Sequence, residues 1–130
     1  MKKHGLLNSE ISKVVDDLRH TDQIIIADCG LPIPNGVKEI DISLVLGTPD
    51  FISVLEVILS EVVIEELVLA DEILEYNYEL YQKIKDLIKV PTSFVSHRKF
   101  KEKSHHVKAI IRTGEASPYA NIILQSAVCF

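Results

Sequence analysis

The run Ile24-Ile25-Ile26-Ala27 constrains the fold of this chain more than any other stretch. Four consecutive apolar residues, three of them β-branched, read as a short strand covered on both faces, not as an alternating, half-wet one. Such a strand needs layers above and below it, and the neighbouring sequence supplies them. Asn8 or Ser9 can cap a helix with apolar residues at Ile11, Val14, Val15 and Leu18, ending near His20-Thr21-Asp22. On the other side, Gly30-Leu31-Pro32-Ile33-Pro34-Asn35-Gly36 has to be a loop, because two prolines break any ladder and Asn35-Gly36 is a strong turn pair.

The alternation continues along the chain. Lys38 to Ser43 reads as a second strand. Thr48-Pro49-Asp50 opens a helix with a cap, a first-turn proline and an acid near the positive dipole end, and that helix runs from Phe51 to about Ser60. Ile64 to Ala70 is a third strand, weakened at its start by the Glu65-Glu66 pair. Glu75 to about Ile88 reads as a third helix, Val90 to Val95 as a strand, and Ala109-Ile110-Ile111 as the centre of another. A Pro118-Tyr119 corner then leads into Asn121 to Val128, the last strand. No linker, repeat or low-complexity tract divides these elements. The pattern predicts an α/β fold, a three-layer single domain over residues 1–130 with a mostly parallel mixed sheet. At 130 residues, nearly half of them apolar, the chain can bury such a core without staples.

Charge narrows the function. A formal net charge of -5 argues against a general binder of nucleic acid or of anionic membranes. The one basic stretch, Arg98-Lys99-Phe100-Lys101-Glu102-Lys103, is short and interrupted, and reads as a solvated face. No apolar run approaches the roughly 18 residues of a membrane span, and Leu6-Leu7 is too short for a signal-peptide core. A cytoplasmic protein is expected. Cys29 and Cys129 offer neither zinc spacing nor a C-x-x-C pair; a reduced pair fits that compartment, with a disulfide between them left open.

Ligands of α/β sheets usually bind outside the carboxyl ends of the strands. Asp28 follows the Ile24 to Ala27 run directly, where a carboxylate can take hydrogen bonds from sugar hydroxyls or close a turn on its own backbone. His97, just past the Val90 to Val95 strand, has the same positional claim. His20, at the end of the first helix, is explained structurally by the negative dipole end and functionally as a group that gives and takes protons near neutrality. Tyr119 and Asn121, two apart across Ala120 on an extended segment, would face one side and suit a sugar, or form a solvent-facing turn. His105 and His106 would point to opposite faces of a strand, and no H-x-x-x-H spacing exists, so no metal site is expected. The absence of G-x-S-x-G, G-x-G-x-x-G and G-x-x-x-x-G-K leaves nucleophilic and nucleotide-cofactor chemistry unsupported; no cofactor is expected.

Four segments, in order and fitted to both chain ends, carry a resemblance: Met1-Lys2-Lys3-His4-Gly5-Leu6-Leu7-Asn8-Ser9-Glu10-Ile11; His20-Thr21-Asp22 with the strand into Asp28-Cys29-Gly30-Leu31-Pro32; Ser96-His97; and Ile111-Arg112-Thr113-Gly114-Glu115 through Pro118-Tyr119-Ala120-Asn121 to Phe130. On these the chain resembles the ribose-pyranase and fucose-mutarotase family over essentially its full length, and its opening and Gly-Leu-Pro-Ile-Pro loop look like the ribose branch. The resemblance implies a cofactor-independent isomerase of a free monosaccharide such as D-ribose. It implies a ring-shaped homo-oligomer, typically two stacked pentamers forming a decamer, with sites near subunit boundaries. It also implies His20 as proton donor, with Asp28, His97 and the segment Tyr119, Ala120 and Asn121 contacting the sugar. A mutarotase restricted to anomer exchange and a non-catalytic sugar-binding subunit are the alternatives.

Overall fold

The computed structural model describes residues 1–130. A helix α1 (Ser9–Asp17) leads into β1 (Gln23–Ala27) and β2 (Lys38–Asp41). Then come α2 (Phe51–Glu61), β3 (Ile64–Ala70), a short α3 (Ile73–Tyr76) and α4 (Tyr78–Leu87). The chain continues through β4 (Thr92–Val95), α5 (His97–Lys103), a 3-10 turn (Ser104–His106), β5 (Ala109–Arg112) and β6 (Ile122–Ser126). The strands form one six-stranded sheet in the order β2-β5-β1-β6-β3-β4. All pairings are parallel except those of β6, which runs antiparallel to β1 and β3. The expected mostly parallel mixed sheet is therefore present.

Strand β1 sits at the centre, and its run of isoleucines divides between two faces, as the pleat requires. Ile24 and Ile26 join α1, α2 and α4 through Ile11, Val14, Phe51, Leu55, Leu80 and Ile84. Ile25 and Ala27 point the other way, to Leu31, Phe100, Val107 and Ile110. Helices on one face, and α5 with the proline loop on the other, make the three layers. Each fully buried large side chain here adds about 1.5–3 kcal/mol of transfer free energy. No helix is long and apolar enough to cross a membrane.

One local expectation is met, and several others are corrected. Asn8 caps α1, its side chain accepting from the Ile11 N–H at 3.0 Å. Asp50, rather than Thr48, caps α2, so Pro49 precedes the cap instead of opening the first turn. The single helix expected over 75–88 is two, starts at Ile73, and breaks at Asn77, whose backbone leaves the helical region while its amide donates to Ser117 Oγ (3.0 Å) and the Pro118 carbonyl (2.8 Å). The basic stretch after Ser96 is helix α5 with Phe100 fully buried, not merely a solvated face; Ser96 Oγ accepts from the Lys99 N–H at 3.1 Å as its cap. His105 and His106 stand on the 3-10 turn, so strand alternation does not govern their directions.

Candidate active site

The direction of β6 builds the site. Strand β5 ends at Arg112, and the chain must return antiparallel on the far side of β1. The connecting loop therefore crosses the carboxyl end of β1, directly over Asp28. Thr113 anchors it there: its N–H and its hydroxyl both donate to the Ala27 carbonyl, at 3.0 and 2.7 Å. The Cys29 N–H donates to the Glu115 carbonyl at 2.9 Å. Glu115 in turn accepts from the Phe51 N–H at the start of α2 (3.0 Å) and from the Ser117 N–H (3.2 Å).

Asp28 and Asn121 meet where this loop enters β6. The fully buried Asn121 accepts from the Asp28 N–H through Oδ1 at 2.9 Å and donates through Nδ2 to Asp28 Oδ2 at 3.0 Å. Asp28 Oδ1 accepts from the Gly30 N–H at 2.9 Å, so the turn-closing role expected of this aspartate is also real. A carboxylate has about four acceptor sites, and two are used here. The others remain for a ligand.

His97 lies beside them. As the first residue of α5 its N–H donates to both carboxylate oxygens of Glu72, at 2.9 and 3.0 Å. Its ring meets Tyr119 edge-on, with centroids 5.1 Å apart, and Tyr119 also stacks obliquely on Tyr76 at 5.7 Å. Burial holds the His97 imidazole below the usual histidine range; Lys101 pushes the same way, and the Glu72 and Asp28 carboxylates oppose both. Its Nδ1 is buried without a hydrogen-bond partner. Nε2 also has no partner within the chain and, unlike Nδ1, is not enclosed, so it is the ring nitrogen able to exchange a hydrogen bond with a ligand hydroxyl.

Tyr119 and Asn121 do not share an extended segment. Tyr119 takes a left-handed φ of 56°, and the Asn121 N–H donates back to its carbonyl at 3.0 Å. A non-glycine residue in that region costs about 1–2 kcal/mol, and such outliers concentrate at ligand sites. The corner turns the phenol toward His97 and the amide inward to Asp28, while Ala120 packs fully buried between them.

His20 does not join this cluster within one chain. Helix α1 ends three residues before it, so the helix dipole, which fades within the last turn, does not account for it. His20 precedes β1 and Asp28 follows it. The five residues of β1, at about 3.3 Å each, put roughly 16 Å of strand between the two ends. His20 Nε2 instead lies 3.1 Å from Glu65 Oε2 at the amino end of β3.

Sequence reasoning missed Glu72, Tyr76 and Arg112. Glu72 follows the carboxyl end of β3, so the rule that singles out Asp28 applies to it as well. Arg112 is a charge ending an otherwise buried strand; it donates to the Cys29 carbonyl (3.0 Å), Asp41 Oδ2 (2.8 Å) and Ser43 Oγ (2.8 Å), tying the loop after β1 to the end of β2. With Ser43 contributing most, and Arg112 adding to it, the Asp41 carboxyl is held below its usual range. Two open hollows of about 490 and 380 Å3 lie elsewhere, along α1 and between α2 and α4, and neither is lined by Asp28, His97 or Tyr119.

Known proteins resemble the chain in sequence and in fold. The model of the RbsD / FucU transport protein family matches residues 1–129. A D-ribose pyranase of Geobacillus thermodenitrificans (strain NG80-2) is 54% identical over 131 residues, spanning 100% of this chain and 99% of that protein. The structure of Bacillus subtilis RbsD complexed with D-ribose superposes with a TM-score of 0.97 at 46% identity, covering 100% of both chains. The fucose mutarotase of Streptococcus pneumoniae in complex with L-fucose has the same fold, with a TM-score of 0.82 at 24% identity over 99% of this chain and 100% of that one. Matched along residues 1–129 by the family model, and throughout its length by a relative at 54% identity, the chain belongs to the RbsD / FucU family.

Proposed function

We propose that this protein is a D-ribose pyranase, an isomerase that interconverts the pyranose and furanose rings of free D-ribose. The observation that carries the reading is the cluster of Asp28, Asn121, His97 and Tyr119, where a carboxylate with free acceptor sites lies beside an imidazole whose ring nitrogens have no partner within the chain. It is supported by 54% identity to a D-ribose pyranase and by likeness to an RbsD complexed with D-ribose.

The chemistry asked of the site is modest. Opening the pyranose breaks the bond between C1 and the ring oxygen; that oxygen takes a proton while the anomeric hydroxyl gives one up, leaving an aldehyde. The C4 hydroxyl then adds to C1, loses its proton, and the carbonyl oxygen regains one. Atoms and electrons balance without redox change. His20 is the proton donor to the departing ring oxygen. Asp28 holds sugar hydroxyls, with Asn121 fixing its carboxylate. His97, through its open Nε2, and the Tyr119-Ala120-Asn121 segment orient the ring. General acid–base help of this kind gives about 10²–10⁴-fold.

Because His20 and Asp28 stand at opposite ends of β1, the reading requires a second copy of the chain to bring its His20 to this Asp28. Apolar side chains exposed at both edges favour such contact. Leu44, Val45 and Leu46 project from the turn after β2, on the Asp28 edge, and Val63 and Val128 flank the His20 edge. A closed ring of copies, a decamer by resemblance, is the assembly this reading expects. Two free cysteines suit a reducing, cytoplasmic compartment.

Magnetization-exchange NMR on D-ribose tests the function. The protein should raise pyranose–furanose exchange well above the spontaneous rate, and His20→Ala should remove most of that excess while ribose still binds. Exchange at the spontaneous rate with wild-type protein would mark a mere sugar binder. Acceleration confined to α–β anomer exchange would mark a mutarotase.

A further inference from the structure

We propose that Glu65 is a positioning residue for His20, fixing the imidazole with Nε2–H turned to the Glu65 carboxylate and Nδ1 turned to the sugar. This rests on His20 being the proton donor. Glu65 Oε2 is 3.1 Å from His20 Nε2 across 45 residues of sequence. An ionised carboxylate only accepts hydrogen bonds, so the proton of that bond must sit on Nε2. Nδ1 is then the nitrogen left to gain and give a proton, and it is the one that meets substrate.

The carboxylate is held as firmly as the ring. Gln125 on β6 donates through Nε2 to Glu65 Oε1 at 2.8 Å, and Gln125 Oε1 accepts from Gln23 Nε2 on β1 at 3.0 Å. Three adjacent strands thus supply one oriented chain of side chains ending at His20. Those bonds, Gln125's first and His20's next, keep the Glu65 carboxyl below its usual range and hence ionised.

The backbone is specialised on both sides of the contact. The β3–β6 register shifts between Ile64 and Glu66, so Glu65 is the extra residue of a β-bulge, a device that re-aims a side chain. Opposite it, Thr21 holds a φ of 71°, rare for a β-branched residue, with its N–H donating to the Ser126 carbonyl at 2.9 Å. The Asp22 carboxylate accepts from the Arg19 N–H at 2.8 Å and closes the same turn. A strained turn presenting a histidine to a bulge presenting a carboxylate is a built pairing. A partner carboxylate that sets the tautomer and orientation of a working histidine is a recurrent arrangement.

The test is Glu65→Gln in the full-length protein, read three ways. Pyranose–furanose exchange should fall about 10–100-fold relative to the wild-type acceleration, the usual cost of losing such a partner. Ribose affinity, titrated by NMR, should stay within about twofold, because Glu65 orients the donor and does not hold the sugar. Long-range proton–nitrogen spectra should show neutral His20 as the Nε2–H tautomer in wild type and a mixed population in the variant. A folded Glu65→Gln protein with wild-type exchange and an unchanged His20 tautomer would overturn the proposal. If that variant does not fold, Gln125→Ala, which frees the carboxylate without removing it, must loosen the tautomer and slow exchange to a smaller degree; wild-type behaviour there overturns it equally. His20→Ala separates the two ideas. If His20→Ala exchanges like wild type, the proton-donor reading fails; if it is slow while Glu65→Gln is fast, only the role of Glu65 fails.

Discussion

Asn121 grips Asp28 from both sides, accepting from its backbone N–H at 2.9 Å and donating to its carboxylate at 3.0 Å, with the amide wholly buried. Replacing it by alanine strips the Asp28 N–H of its acceptor and releases the carboxylate. Asn121→Ala should lower stability by about 1–3 kcal/mol, the cost of a buried group left unpaired. It should also weaken ribose binding more than His20→Ala does. Urea denaturation and an NMR titration of ribose check both; unchanged affinity in a folded Asn121→Ala protein would remove Asp28 orientation from the account.

The His97 imidazole is held below its ordinary value of 6.5, chiefly by burial. The fold thus favours the neutral ring, and the unfolded chain takes up a proton first as pH falls. The stability this ring contributes is fully present above about pH 6.5 and is lost as pH drops through the lower, folded value. Thermal unfolding should show wild-type stability declining in that window, and His97→Gln should flatten the decline. Identical pH profiles for the two proteins would contradict the assignment.

Gly114 lies under the segment that joins β2 to α2. A Cβ there would collide with the backbone of Thr48, and the Gly114 N–H donates to the Pro49 carbonyl at 2.8 Å. The neighbour is backbone and cannot swing aside. Gly114→Ala should cost about 1–3 kcal/mol, the usual range for overpacking, and should shift the amide resonances of Gly47 and Thr48. A variant with wild-type stability and spectra would show that this approach is looser than described.

Much of this arrangement is legible in the sequence, for reasons that are local. The Ile24 to Ala27 run identifies a doubly covered strand by composition, Asn8 caps α1 in the expected way, and the carboxyl-end rule singles out Asp28 and His97. That His20 and Asp28 fall at opposite ends of one strand is legible too, since one precedes and the other follows five strand residues. What stays hidden has distant causes. The break at Asn77 comes from a loop 40 residues away, and helix α5 turns only Phe100 fully inward, leaving no periodicity to read. Glu65 looks like a charge that merely weakens a strand until β-sheet register brings Gln125 and the His20 turn against it.

Subunit complementation tests the shared site most directly. His20→Ala and Asp28→Asn proteins, each slow alone, are unfolded together, refolded as a mixture and assayed by ribose exchange at low sugar concentration. If the site takes His20 from one copy and Asp28 from another, random mixing restores both groups at about a quarter of the interfaces. Exchange should recover to roughly that fraction of the wild-type rate. A mixture no faster than its separate components would contradict the account.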